Sequence, residues 1–94
     1  VALIEAKELG GTCLNRGCIP SKALIAGADF VGRLSSASIF GIDIPNFTVD
    51  YSRLAIHKDR VVEKMRTGLE GLIAANKIIV FRGFGKFNAP NTIK

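Results

Sequence analysis

The sequence predicts an α/β fold with the element order strand, helix, helix, strand and hairpin. Three observations indicate this: an apolar run opens the chain, two segments carry apolar residues at helical spacing, and β-branched and aromatic residues follow near the end. The 94 residues are 48% hydrophobic and 22% charged, a globular composition that argues against disorder. No apolar run is long enough to predict a membrane span.

The first predicted strand is Val1–Ile4, a fully apolar run that is typical of a buried parallel strand and ends at Glu5. Gly10-Gly11 breaks the chain, and we expect Thr12 to cap the helical segment after it. From Pro20 the pattern is helical and ends within residues 35–38. The apolar stripe of this helix is Leu24, Ala28, Val31 and Leu34.

An irregular connection is expected over Gly41–Asn46, and Asp50 is the expected N-cap of a second, longer helix. That helix runs to about Ala75, with Asn76 as its stop. Its apolar residues at helical spacing are Leu54, Val61, Met65, Leu69 and Leu72. A strand over Ile78–Phe81 follows, and Phe87 and Thr92-Ile93 flank a turn at Asn88–Asn91 as a hairpin.

The net charge is +5, but the basic residues are spread along the chain. The densest stretch, Arg53 to Arg66, interleaves Asp59 and Glu63 at helical spacing, which is typical of a solvated helix face. Nucleic-acid binding requires a basic patch beside suitable aromatic residues, so the pattern argues against it. The informative feature is instead the placement of the two cysteines, Cys13 and Cys18.

Two thiols five positions apart at the start of a helix can meet if the first turn is distorted, and Gly17 permits that distortion. The positive end of the helix lowers a thiol pKa, and Arg16 and Lys22 add positive charge. This spacing favours thiol–disulfide exchange. It also leaves open two buried thiols, an inert disulfide, or zinc, although only His57 would remain as a usual zinc ligand.

The segment from Gly10 to Leu24, GGTCLNRGCIPSKAL, resembles the active-site motif of the pyridine nucleotide–disulfide oxidoreductases, a family of flavoenzymes. The resemblance extends over the whole chain, in order. Ser21-Lys22 favours the members that act on dihydrolipoamide, because glutathione and trypanothione reductases usually have two lysines after the proline. Mercuric reductase shares the Ser-Lys pair. Arg16 departs from the commoner valine.

The resemblance implies a partial Rossmann-like FAD-binding domain and assigns roles to three residues of the motif. Cys13 would be the catalytic thiol that exchanges with substrate. Cys18 would be the catalytic thiol that lies against FAD and forms the charge-transfer thiolate. Lys22 would stabilise the reduced, anionic flavin, since a cation suits the charge that reduction places there.

Further cofactor-binding residues are implied at both ends of the chain. Glu5, at a strand end, would bind the adenosine ribose of FAD, although a surface carboxylate is the alternative. Gly11 and Thr12 would approach the pyrophosphate or the flavin. Gly85 matches a turn that contacts the adenine side of FAD, or is simply a hairpin glycine. The family's catalytic histidine lies in a C-terminal domain, and nothing matches His57 to that role.

The resemblance also implies the context of the chain. Residues 1–94 would be an internal part of the FAD-binding domain, without the first strand and its GxGxxG turn, the NAD domain or the dimerisation domain. The complete, cytoplasmic homodimer would oxidise dihydrolipoamide with FAD and NAD, and its partner would be the lipoamide-bearing acyltransferase of a 2-oxo acid dehydrogenase complex. No nucleic acid, membrane or metal is expected. The alternatives are another family member, such as a mercuric or glutathione reductase, or a non-enzymatic thiol redox or interaction module.

Overall fold

A parallel pair of strands joins the two ends of the chain in the structure, a computed structural model that describes residues 1–94. Strand β1 (Ala2–Glu5) pairs with β2 (Ile79–Arg82), in a register that places Glu5 opposite Arg82. A second sheet consists of β3 (Phe87–Ala89) and β4 (Thr92–Ile93), which pair antiparallel. The predicted α/β class, parallel strand and terminal hairpin are therefore confirmed.

Three helices and a 3₁₀ turn connect β1 to β2. They are α1 (Gly11–Arg16), α2 (Cys18–Ser35), the 3₁₀ turn Ala37–Phe40 and α3 (Tyr51–Ala75). Helix α2 begins at Cys18 rather than at Pro20, and the separate helix α1 was not predicted. No helix is long and apolar enough to cross a membrane.

The two ends of α3 lie where the sequence predicts them. The Asp50 carboxylate accepts a hydrogen bond from the Arg53 amide at 3.3 Å, which satisfies one of the free amides of the first turn. At the other end, the Asn76 side-chain amide donates to the Leu72 carbonyl at 2.8 Å. Lys77 then takes a left-handed conformation, with φ 57°, and the chain turns into β2.

The packing of α2 against α3 is the main tertiary contact, and it is close at Gly27. A Cβ at Gly27 would lie only 2.7 Å from Leu54 Cδ1, so glycine permits this approach of the two helices. The predicted stripe of α3 is partly wrong: Met65 and Leu72 are 48% and 61% exposed, and the buried residue is Val62. The inward face of α3 carries Val62 and the partly buried Arg66, and it is rotated relative to the predicted one because this is the side that faces α1.

Few side chains are enclosed, because the molecule is elongated. Only Leu9, Ala37 and Val62 are buried, and the strand β1 predicted to be buried has Leu3 and Ile4 more than one-third exposed. The extents are 68 × 24 × 19 Å and the radius of gyration is 20.4 Å, against about 12 Å for a compact domain of this length. The accessible surface is 7656 Å², against roughly 5300 Å² for a compact protein of this mass.

Candidate redox-active cysteine site

Three hydrogen bonds hold the start of the loop between β1 and α1. The Glu5 carbonyl accepts from the Gly83 amide at 3.0 Å, and a Glu5 carboxylate oxygen accepts from the Lys7 amide at 2.9 Å. The Arg82 guanidinium donates to the Lys7 carbonyl at 2.8 Å. Because Arg82 ends β2 and Gly83 directly follows it, the parallel sheet fixes the start of the segment that carries the cysteines.

The two glycines before the cysteines turn the chain directly into α1. Gly10 and Gly11 have φ values of 108° and 69°, which favour glycine, and Gly10 is the N-cap. The prediction that Thr12 caps the helix is therefore wrong. Since the backbone turns at the two glycines, Thr12 already lies inside α1 and cannot take the extended conformation of a capping residue.

Cys13 and Cys18 form a disulfide across the junction of α1 and α2, with their Cα atoms 4.8 Å apart. The junction is Gly17, whose carbonyl accepts from the Ser21 amide at 3.1 Å in the first turn of α2. A Cβ at Gly17 would lie 3.1 Å from Cys13 Cα and 3.2 Å from the Thr12 carbonyl oxygen. The two helices approach this closely because residue 17 has no side chain.

The charges around the disulfide favour a thiolate at its second cysteine. Cys18 is the first residue of the 18-residue α2, where the positive end of the helix dipole stabilises a negative charge. Lys22 follows one turn later and is exposed. Arg16 forms an ion pair with Glu8, so its charge is partly compensated. The pKa of the Glu8 carboxyl is lowered, first by a hydrogen bond from the backbone amide of Glu8 and then by the Arg16 guanidinium.

An interaction that the sequence analysis missed connects α1 to α3. Asn15 Oδ1 accepts a hydrogen bond from Arg66 Nε at 2.9 Å. The Asn15 Nδ2 atom donates to the carbonyls of Leu9 and Gly11, at 2.9 Å each. Leu9, whose carbonyl accepts one of these bonds, is one of the few buried residues, at 4% exposure.

The predicted site residues other than Gly85 lie close to element ends in the first quarter of the chain. Glu5 ends β1, Gly11 and Thr12 begin α1, and Lys22 lies in the first turns of α2 after Cys18. Gly85 lies on the sheet side, where a Cβ would be 3.1 Å from Ile4 Cδ1, next to Glu5 along β1. Their roles toward a cofactor stay predictions.

The one histidine of the chain lies on α3, which carries neither cysteine. His57 is exposed on α3. No group of three or more residues with metal-binding side chains occurs in the structure. The exposed disulfide across a helix break, with a cation one turn along α2, has the features of a thiol–disulfide oxidoreductase site.

Comparisons with known proteins show which enzymes of that class the chain is similar to. No family model matches the sequence. The dihydrolipoyl dehydrogenase of Chlamydia pneumoniae is 53% identical over 93 residues, which cover 99% of this chain and 20% of that protein. Those of Thermus scotoductus and Geobacillus stearothermophilus are 42% and 38% identical over 94 residues, again covering 20% of each relative.

Over nearly its whole length the chain is thus similar to dihydrolipoyl dehydrogenases, in agreement with the family that the motif resembles. It spans about a fifth of the length of the curated relatives it matches. The similarity therefore covers only this segment of those enzymes.

Proposed function

We propose that residues 1–94 are an internal segment of the FAD-binding domain of a dihydrolipoamide dehydrogenase, which oxidises dihydrolipoamide with NAD. The observation that carries the proposal is the Cys13–Cys18 disulfide across the Gly17 junction. It provides an oxidised cysteine pair that a dithiol substrate can reduce. The 53% identity to a dihydrolipoyl dehydrogenase over nearly the whole chain supports this choice of substrate.

The exchange follows from the placement of the two sulfur atoms. A substrate thiolate attacks Cys13 Sγ, which lies on an exposed residue of α1. A substrate–Cys13 bond forms as the Cys13–Cys18 bond breaks, and the electron pair leaves on Cys18 Sγ. The second substrate thiolate then attacks the substrate sulfur of the mixed disulfide, which closes the substrate disulfide and releases Cys13 as a thiolate.

Cys18 is suited to be the leaving group of the first step. It begins α2, so the helix dipole and the nearby Lys22 stabilise the thiolate that forms there. A stabilised thiolate leaves faster in disulfide exchange. The two electrons of the substrate dithiol are then held by the cysteine pair, and its two thiol protons have been released.

The residues around the disulfide fit FAD as the next acceptor. Glu5 places a carboxylate at the carboxyl end of a parallel strand, which suits the ribose hydroxyls. The space beside Gly11 is open, so a ligand can approach its backbone and Thr12. Lys22 supplies a cation one turn after Cys18. Gly85, beside Ile4 of β1, would contact the adenine side of FAD. Held by these residues, FAD would supply a two-electron acceptor for the cysteine pair and a donor to NAD.

The same proposal extends to the partner, the oligomeric state and the location of the full-length protein. The substrate dithiol is presented on the lipoamide-bearing acyltransferase of a 2-oxo acid dehydrogenase complex. The full-length protein is a cytoplasmic homodimer. The names of the curated relatives support a lipoamide-linked role.

The test is turnover by the full-length protein with dihydrolipoamide and NAD, compared with glutathione disulfide and with mercuric ion, each assayed with NADPH. We expect activity with the first pair alone. Mercury-dependent or glutathione-dependent NADPH oxidation would assign the protein to another member of the family. Absence of turnover with all three substrates would favour the non-enzymatic thiol module.

Paired serine variants test the separate roles of the cysteines. Cys18→Ser should lose both turnover and the long-wavelength absorbance that reports a thiolate beside the flavin. Cys13→Ser should lose turnover but keep that absorbance, because the Cys18 thiolate remains. Retention of both properties by Cys18→Ser would contradict the role assigned to it.

A further inference from the structure

The side chain of Asn15 joins three parts of the molecule around the cysteines. Its carbonyl oxygen accepts from Arg66 Nε on α3, and its amide donates to Leu9 in the loop and to Gly11 at the start of α1. We refer to Asn15, Arg66 and these two carbonyls as the Asn15 clamp. The contacts to Arg66 and to Leu9 are partly buried, so water competes with them less than at the surface.

Helix α1 depends on such support because of its length. It has six residues, and a helix of that size does not persist in water without tertiary contacts. The disulfide ties it to α2, but under the proposed function that bond opens in every cycle. With the disulfide open, Gly17 is the remaining covalent connection of α1 to α2, and the Asn15 clamp holds α1 to α3.

We propose that Arg66 is a positioning residue of the redox centre. Acting through Asn15, it keeps α1 in place when the Cys13–Cys18 bond is reduced, so that the two thiols stay close enough to close again. This inference rests on the proposed function only in requiring that the disulfide opens and closes. The side-chain hydrogen bond of Arg66 goes to Asn15 and not to either sulfur atom.

The clamp should therefore set the stability of the disulfide. Reduction by dithiothreitol breaks the Cys13–Cys18 bond, adds two electrons and two protons to the pair, and closes the reagent's own disulfide ring. Loss of the clamp lets α1 move in the reduced state and lowers the effective concentration of one thiol at the other. Ring closure then becomes less favourable, and the reduction potential of the pair becomes less negative.

The experiment measures this equilibrium in the full-length, flavin-loaded protein. Arg66→Met is equilibrated with mixtures of reduced and oxidised dithiothreitol, and the free cysteines are alkylated and counted by mass spectrometry. We expect the constant for disulfide closure to fall about tenfold, as for loss of one charged hydrogen bond. This corresponds to an upward shift of about 30 mV.

Two matched variants separate geometry from charge. Arg60→Met removes the same charge from an exposed position of the same helix that makes no side-chain hydrogen bond or ion pair, and should leave the constant unchanged. Arg66→Lys keeps the charge beside Asn15 and should restore part of the loss. If Arg66→Met fails to fold, Arg66→Lys decides alone, with an expected shift of a few-fold.

Asn15→Ala completes a double-mutant cycle with Arg66→Met. If the two act through one clamp, the double variant should be no worse than the more damaging single variant. An unchanged closure constant in Arg66→Met, an equal shift in Arg60→Met, or additive effects would overturn the proposal. Since thiols are counted directly, these results do not depend on whether dihydrolipoamide is the substrate, and failure of the turnover assay remains distinguishable.

Discussion

Replacement of Gly17 by alanine tests whether the close junction of α1 and α2 is what allows the disulfide to form. The added Cβ would lie 3.1 Å from Cys13 Cα and 3.2 Å from the Thr12 carbonyl oxygen, whereas ordinary contacts begin near 3.4 Å. Both atoms belong to the backbone, so neither can rotate away. The end of α1 and the first turn of α2 must therefore separate by a few tenths of an ångström next to Cys13, which carries one of the sulfur atoms.

Overpacking of this kind costs about 1–3 kcal/mol. The cost falls mainly on the closed form, because the disulfide fixes Cys13 against the junction, whereas in the reduced form the junction can shift by a few tenths of an ångström while the Asn15 clamp still holds α1. We therefore expect Gly17→Ala to lower the equilibrium constant for disulfide closure by about 5–150-fold, since about 1.4 kcal/mol is tenfold. The assay is equilibration of the full-length protein with dithiothreitol mixtures, followed by a count of alkylated cysteines.

Gly32→Ala is the matched control for this prediction. Gly32 lies within α2, and a Cβ there would meet nothing within 4 Å. Alanine should stabilise that helix by about 0.5–1 kcal/mol and leave the disulfide equilibrium unchanged. An unchanged closure constant in Gly17→Ala, or the same shift in both variants, would refute the argument from the junction.

Two further predictions concern packing and pH. Gly27→Ala should unfold at a lower temperature than Gly32→Ala, because its Cβ would lie 2.7 Å from Leu54 Cδ1 and the flexible Leu54 side chain must rotate away, at a cost of about 0.5–1.5 kcal/mol. Thermal unfolding by circular dichroism checks this, and equal melting temperatures would contradict it. The pKa of the Glu8 carboxyl is lowered in the folded state by its own backbone amide and then by Arg16, so the stabilisation is complete above the ordinary value of 4.5 and is lost as the pH falls through the lowered pKa. Glu8→Gln should therefore weaken the loss of stability on acidification below pH 4.5, measured by denaturant titration at several pH values, and identical pH profiles for the two proteins would argue against it.

The elements with strong local signals were predictable from the sequence. Asp50 and Asn76 bound α3 because each carries a side chain that pairs with a free backbone group at the helix end. The β-branched run before Arg82 forms a strand for similarly local reasons, as does the terminal hairpin. In each case the information lies within a few residues of the feature.

Features that depend on tertiary contacts were predicted less well. Met65 and Leu72 fit a helical apolar stripe, but the inward side of α3 is set by where α1 and α2 lie against it. Thr12 has the chemistry of a capping residue, yet the two glycines before it turn the chain first. Such outcomes depend on geometry that periodicity does not contain.

In the candidate site, too, the local features were predictable from the sequence and the tertiary contacts were not. The sequence indicates that Cys13 and Cys18 can meet, because their separation is short and Gly17 stands between them. It does not indicate the bond between Asn15 and Arg66, since the partners are 51 residues apart and each has many polar alternatives. A polar residue between two cysteines was the only signal available, and it does not specify a partner on α3.

The 51 positions between Asn15 and Arg66 also determine when the two residues can first meet during synthesis. A ribosome adds about 5–20 residues per second, so Arg66 is joined to the chain roughly 3–10 s after Asn15, which it is to bind 51 positions away. Arg82, which fixes the loop before α1, is added later still. During synthesis the cysteine pair therefore exists for seconds as a flexible pair of thiols, and the rigid geometry of the junction is acquired only when the second half of the chain folds back upon it.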